Sequence, residues 1–438
     1  MPSPVELLQT LIRFNTTNPP GNETEAITYL DRLLTGAGIA TTILTRTASR
    51  PNLIARIPGS GQAPPFLMQG HIDVVPTTGQ QWDQEPFGGR IIDGYVWGRG
   101  ALDMKGGVAM MVDAFMRMAA SERPPAGDII LCILSDEENG GNEGARFLVE
   151  EHAHHFKGVE YCIGEFGGFP LELGGRRFYP IQVAERVGVL IDLTFRGAAG
   201  HGSLPTAGGA MAKLGTALTR LDRKRMPVHL TPATRLMLEG MIEHTDGAIQ
   251  RVLRLLLDER TAGPAFKLLS SRLSVLEPVF RNTVNATVVR GGDKDNVVPA
   301  EVSVRLDGRM LPGFDPDEMI EELRSVIGKD VEITYKTEGL PPVGEPNLAL
   351  FDLLARILKD RDPLAIPVPF LLPAVTDGRW FGRLGIQHYG FLPMQLPAGF
   401  EFQSTVHAAN ERIPTAAVNN GSDAIFDLLE RYPGEHGN

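Results

Sequence analysis

Phe66-Leu67-Met68-Gln69-Gly70-His71-Ile72-Asp73-Val74-Val75-Pro76 joins an apolar, strand-like run to a histidine and an aspartate two residues apart. In an open parallel sheet, reactive groups collect beyond the carboxyl ends of the strands, and His71 would project there. Asp73 is well placed to hold the imidazole, because a carboxylate accepting the second ring N–H fixes the tautomer and raises ligand basicity. Taken alone, His-x-Asp reads more readily as a turn carrying a surface histidine.

Working outward, similar apolar runs occur at 52–57, 129–134 and 161–163, separated by helical patterns such as Val108, Met111, Val112 and Phe115. That alternation predicts an α/β fold with a mostly parallel sheet covered by helices. Two helices open the chain. Ser3 and Glu6 form a capping box with proline at the first helical position, and Asn22 with Glu25 repeats the signal before Ile27, Leu30 and Leu34.

From Val187 the pattern becomes strand (187–195), helix (207–221), strand (283–289), strand (301–307), helix (315–327) and strand (331–335), the ferredoxin-like order βαββαβ. Residues 226–282, rich in Leu, Met and Arg, read as a helical insertion between its first helix and second strand. The α/β character returns after Gly344, with a helix around 350–358, a run at 387–391 and a last helix from Thr415. We therefore expect a first domain built from 1–186 and 341–438, with a second, 187–340, inserted in it.

Composition narrows the function. A chain of 438 residues exceeds what one core usually organises. No apolar run approaches the roughly 20 residues needed to cross a bilayer, so no membrane partner is expected. The first residues lack the basic segment and apolar core of a secretory signal, which points to the cytoplasm. Acidic residues outnumber basic ones 53 to 42, a net charge of -11 that argues against nucleic acid. Cys132 and Cys162 each lie in an apolar run and read as buried free thiols. Walker, dinucleotide-binding, Gly-x-Ser-x-Gly and His-Glu-x-x-His motifs are absent.

Four further pieces carry chemistry. Gly98-Arg99-Gly100-Ala101-Leu102-Asp103-Met104-Lys105-Gly106-Gly107 delivers Asp103 just before a helix, though alone it could be a tight connection. Ser135-Asp136-Glu137-Glu138-Asn139 ends a strand with three consecutive carboxylates, which marks a cation or a paired acid-base role. Glu165 follows another short apolar run, and Thr405-Val406-His407-Ala408-Ala409-Asn410-Glu411 supplies a second histidine. Two imidazoles and three carboxylates suffice for two metal ions if one carboxylate bridges, and hold too few oxygens for calcium. His152, His154 and His155 crowd one helix end and read as solvated imidazoles favoured by the helix dipole.

In this order the motifs resemble those of the dinuclear zinc amidohydrolases that include aminoacylase, the glutamate-releasing and yeast vacuolar carboxypeptidases, acetylornithine deacetylase and succinyl-diaminopimelate desuccinylase. The resemblance runs from Leu7 to the last helix. It implies that His71 and Glu165 hold one metal, His407 and Glu138 the other, and that Asp103 bridges them. Zinc is expected, with cobalt and manganese as alternatives. It further implies Glu137 as general base, Asp73 orienting His71, and a cis Asp103–Met104 peptide bond. His201 would donate to the developing oxyanion from the other subunit of a homodimer formed through the inserted domain. Asn296 and Arg379 would hold the substrate's carboxylate, to which a guanidinium is suited. The implied reaction is hydrolysis of the amide bond in an N-acyl amino acid or short peptide ending in a free carboxylate. A di-zinc aminopeptidase and a non-catalytic metal-binding dimer are the alternatives.

Overall fold

The computed structural model describes residues 1–268, 274–338 and 345–433. The decisive run forms the strand Phe66–His71, with all six residues buried, as a strand covered on both faces requires. It lies inside a nine-stranded sheet ordered Thr41–Thr45, Pro51–Ile57, Ile129–Leu134, Phe66–His71, Tyr161–Gly164, Gln387–Gly390, Arg176–Glu185 and Ala365–Leu372. The ninth strand, Leu171–Leu173, pairs beside Arg176–Glu185. Phe66–His71 is parallel to both its neighbours. Two further pairs are parallel as well, Tyr161–Gly164 with Gln387–Gly390 and Arg176–Glu185 with Ala365–Leu372.

Alternate residues of the central strands serve two cores. Phe66, Met68, Leu131 and Ile133 face one side with the helices Lys105–Ala119 and Thr415–Arg431. Leu67, Ile130, Cys132 and Leu134 face the other, against Phe147, Leu148, Trp380 and Phe381. Each such side chain contributes about 1.5–3 kcal/mol by leaving water. Cys132 and Cys162 are free and buried.

The first capping box forms as expected, with Ser3 and Glu6 satisfying each other's backbone. The second does not. The helix runs Thr24–Gly36 with Glu23 at its cap and no side-chain cap bond. The start is set instead by tertiary structure, because both Glu23 oxygens are taken by Arg50 at 2.8 Å.

After Arg186 the chain builds a separate antiparallel sheet, ordered Thr283–Arg290, Glu301–Met310, Val187–Arg196, Glu332–Glu338. The helices Ala210–Arg223 and Pro316–Ile327 cover it, sharing a core of Val189, Ile191, Leu193, Leu214, Leu306 and Leu323. This is the anticipated βαββαβ unit. The helical insertion comprises Pro232–Glu243, Gly247–Leu256 and Glu259–Leu268. It does not extend the small core. Met237, Leu238, Leu253 and Leu256 join the large one, where Pro232–Glu243 packs on the sheet's last strand, Ala365–Leu372. The expected boundary at 340/341 lies outside the described residues. Among the described residues no helix is long and apolar enough to cross a membrane.

Candidate metal centre

His71 closes the central strand and is 1% exposed. Its Nδ1 lies 3.0 Å from the backbone oxygen of Asp73, and the Asp73 carboxylate stands farther off at 3.5 Å. That carboxylate has other work. It accepts from Asn18 at 2.8 Å and from the backbone N–H groups of Glu137 and Glu138 at 3.2 Å each. Asp73 thus fixes the His71 ring mainly through its carbonyl, and holds the turn Glu137–Asn139 with its side chain.

Asp103 sits on the glycine-punctuated loop before the helix Lys105–Ala119, and its peptide bond to Met104 is cis. Gly100 has a positive φ of 86°, and a Cβ there would meet Val74 at 2.8 Å. Glu411 shapes this loop. Fully buried, it accepts from the backbone of Gly100, Leu102 and Asp103 at 3.1, 2.8 and 3.2 Å, and pairs with Arg99 at 2.6 Å.

These elements converge. One Asp103 oxygen lies 3.1 Å from His71 Nε2 and the other 3.1 Å from His407 Nε2. Glu165 approaches His71 at 3.4 Å, and Glu138 approaches His407 at 3.2 Å. The result is two three-residue groups, His71-Asp103-Glu165 and His407-Asp103-Glu138, each with ligand atoms within 4.8 Å of one another. Glu137 belongs to neither. Its side chain is 11% exposed, and Arg379 is 3.8 Å away.

Burial and crowded charge set the electrostatics of this cluster. Burial, then the charge of Glu165, pushes Glu137 well above the usual carboxylate range. Burial likewise raises Glu165, and raises Glu138 to about 7 against the opposing His407 contact. Burial disfavours charge on His71, yet hydrogen bonds to Asp103, Asp73 and Glu165 outweigh it and raise its pKa well above the histidine norm. Hydrogen bonds to Asp103 and Glu138 lift His407 to about 10. One imidazole, one terminal carboxylate and half of a shared carboxylate on each side fit two divalent ions of the zinc type.

The His407 shift has a measurable consequence. Its folded pKa exceeds the unfolded value of 6.5, so the stability it lends is complete below pH 6.5 and is lost as pH rises through about 10. Chelator-treated protein is expected to lose melting temperature across that window, and His407→Gln to lose less. Parallel melting curves for the two proteins would defeat this account.

Of the other expected site residues, Arg379 borders the cluster beside Glu137, and His201 and Asn296 belong to neither ligand group. His201 is exposed on the short strand Gly200–His201, with Ser203 Oγ at 2.8 Å from its Nδ1. Asn296 directly precedes Val297–Val298, the strand paired with Gly200–His201, and its carbonyl accepts from Gly202 at 2.8 Å. Arg379 is buried at the start of the helix Gly378–Gly382, donating to Thr376 at 2.8 Å. Sequence reading missed Glu411, Arg99, Asn18 and Arg50. Glu411 offered one signal, its place four residues after His407.

A mixed sheet with a parallel centre, an inserted βαββαβ unit and a pair of His-carboxylate groups sharing one aspartate define a two-metal hydrolase. Residues 67–431 match the model of Peptidase family M20/M25/M40. The chain belongs to that family and is a metal-dependent amide hydrolase. It is 35% identical over 98% of both chains to a succinyl-diaminopimelate desuccinylase of Cereibacter sphaeroides. To the N-fatty-acyl-amino acid synthase/hydrolase PM20D1 of Xenopus tropicalis it is 26% identical, over 81% of this chain and 70% of that one. Its fold matches the M20 family metallo-carboxypeptidase Sso-CP2 of Sulfolobus solfataricus with a TM-score of 0.71 at 18% identity, covering 99% of this chain and 100% of that one. It also matches YXEP of Bacillus subtilis, described as a dinuclear metal-binding peptidase, with a TM-score of 0.59 at 14% identity over 98% and 96% of the chains.

Proposed function

We propose that the chain hydrolyses the amide bond of an N-acyl amino acid or short peptide bearing a free carboxylate, with Glu137 moving the proton. The observation that carries this reading is the division of labour at 135–141. Glu138 faces His407, whereas Glu137, one residue earlier, touches neither imidazole and stays free beside the pair.

We assign His71, Asp103 and Glu165 to one zinc ion and His407, Asp103 and Glu138 to the other. When bound, two such ions supply Lewis acidity, lowering the pKa of water from 15.7 toward about 7 and polarising an acyl oxygen. Glu137 accepts the proton that water gives up as it attacks the amide carbon. The burial that makes this carboxyl grip a proton suits it to return that proton to the leaving amine. Asp73 keeps both partners in place, His71 through its carbonyl and the Glu137 backbone through its carboxylate.

Arg379 and Asn296 are assigned to the substrate's carboxylate. In support, the Arg379 Nε is buried without a protein partner. His201 is assigned to the oxyanion of a neighbouring protomer's substrate, in a homodimer formed through residues 187–340. Its exposed ring, which belongs to neither ligand group of its own chain, supports that assignment. The catalytic body comprises 1–186 and 341–438. Two buried free thiols suit a reducing, cytoplasmic setting.

The test is a substrate panel on zinc-reconstituted protein. N-acetyl and N-succinyl amino acids should be cleaved, and converting the carboxylate to a methyl ester should lower kcat/KM by about a hundredfold, the loss of one charge-assisted contact. Equal turnover of ester and acid, or a requirement for a free amine, would sink the proposal.

A further inference from the structure

The helix Ala145–Glu151 begins just after the turn that carries Glu137 and Glu138, and ends on three histidines that the paired centre does not use. His152 caps it, and His154 and His155 follow in the single turn Ala153–Phe156. A nitrogen from each ring lies within 4.8 Å of the others, and the group contains no carboxylate. The rings of His154 and His155 are 4.2 Å apart, and His152 stands 6.2 and 6.4 Å from them.

Sequence alone favours three solvated imidazoles at the negative end of a helix. Their crowding argues otherwise, because three imidazolium charges at this range repel. Burial, then the neighbouring His154 and His152, holds His155 below the usual histidine range, so the ring is kept in the neutral form that ligates metal. The scaffold is also fixed. Phe147 meets the His152 ring edge-on at 4.9 Å, and Arg56 donates to the His155 carbonyl at 2.6 Å.

We propose that His152, His154 and His155 form a third metal site, separate from the paired centre, for an imidazole-seeking dication of the copper, nickel or zinc type. Three nitrogen donors without oxygen exclude calcium and magnesium as preferred guests. Zinc–nitrogen bonds of about 2.0–2.1 Å place tetrahedral donors about 3.4 Å apart. The rings therefore close by no more than about 1.5 Å, and exposed His154 is free to move. Water completes the coordination.

The probe is Cu2+ added to enzyme that holds two zinc ions per chain by elemental analysis, followed by titration calorimetry, a second elemental analysis and electron paramagnetic resonance. We expect one copper per chain, nitrogen splitting in the spectrum and no release of zinc. His152→Gln/His155→Gln should weaken copper binding by at least about tenfold while zinc content and hydrolysis stay unchanged. His154→Asn, at the exposed member, should weaken it as well and guards against misfolding of the double variant. Copper that enters only as zinc leaves, no copper binding, or equal affinity in the variants overturns the site.

Discussion

Glu137→Ala is expected to lower kcat by at least about a thousandfold while both metals remain bound, the range general-base catalysis supplies. The residue contributes no atom to either ligand group, so its removal should leave the metal content intact. Nor should it loosen the fold, because the turn is pinned by its backbone, through the N–H groups that Asp73 accepts. The measurement pairs initial rates with elemental analysis of the same preparation. Near-normal turnover, or loss of metal together with activity, would remove Glu137 from the role proposed.

Asp103→Ala should abolish both sites at once. The carboxylate offers one oxygen to each histidine, and without it each ion keeps one imidazole and one carboxylate, short of the three protein ligands usual at a catalytic zinc. Fewer than about 0.2 ions per chain should survive gel filtration, with no detectable hydrolysis. Glu138→Ala makes the contrast. It strips one group only, so the His71-Glu165 pair with Asp103 should keep its ion. Two ions retained in Asp103→Ala would show that the aspartate does not bridge.

Much of this centre was legible where an apolar run stops abruptly at a charged residue. His71 closes a buried strand and Glu138 and Glu165 follow others, and a charged residue where such a strand ends has few places to point. Asp103 was marked by the glycines its loop needs. His407 lacked such a local signal and was marked only as the second imidazole that a two-metal set needs. What stayed hidden was the support. Arg50 meets Glu23 and Asp136, and Glu411 meets Arg99, across 27, 86 and 312 positions of sequence. A lone buried charge announces nothing about its partner. The insertion shows the same limit, since an amphipathic helix declares that one face must be covered without saying by what. Here the cover is Ala365–Leu372, more than a hundred residues downstream. The Asn22 cap failed for a related reason, a local preference yielding to the Arg50–Glu23 pair.

An inserted unit ordinarily hangs from its host by two strands of chain. Here the chain leaves the small sheet after Arg223, docks on the large sheet's edge, and returns at Thr283, which doubles the tethers to four. Near the return point His229 pairs with Glu322 of the small unit at 2.5 Å, and Asn282 reaches the same residue at 2.9 Å. Arg186 stitches the first tether to the Arg309 carbonyl at 2.7 Å. A swing about Arg186 alone would drag this second anchorage with it. Any movement of the small unit against the large sheet must therefore carry, or work against, the helices docked at Ala365–Leu372.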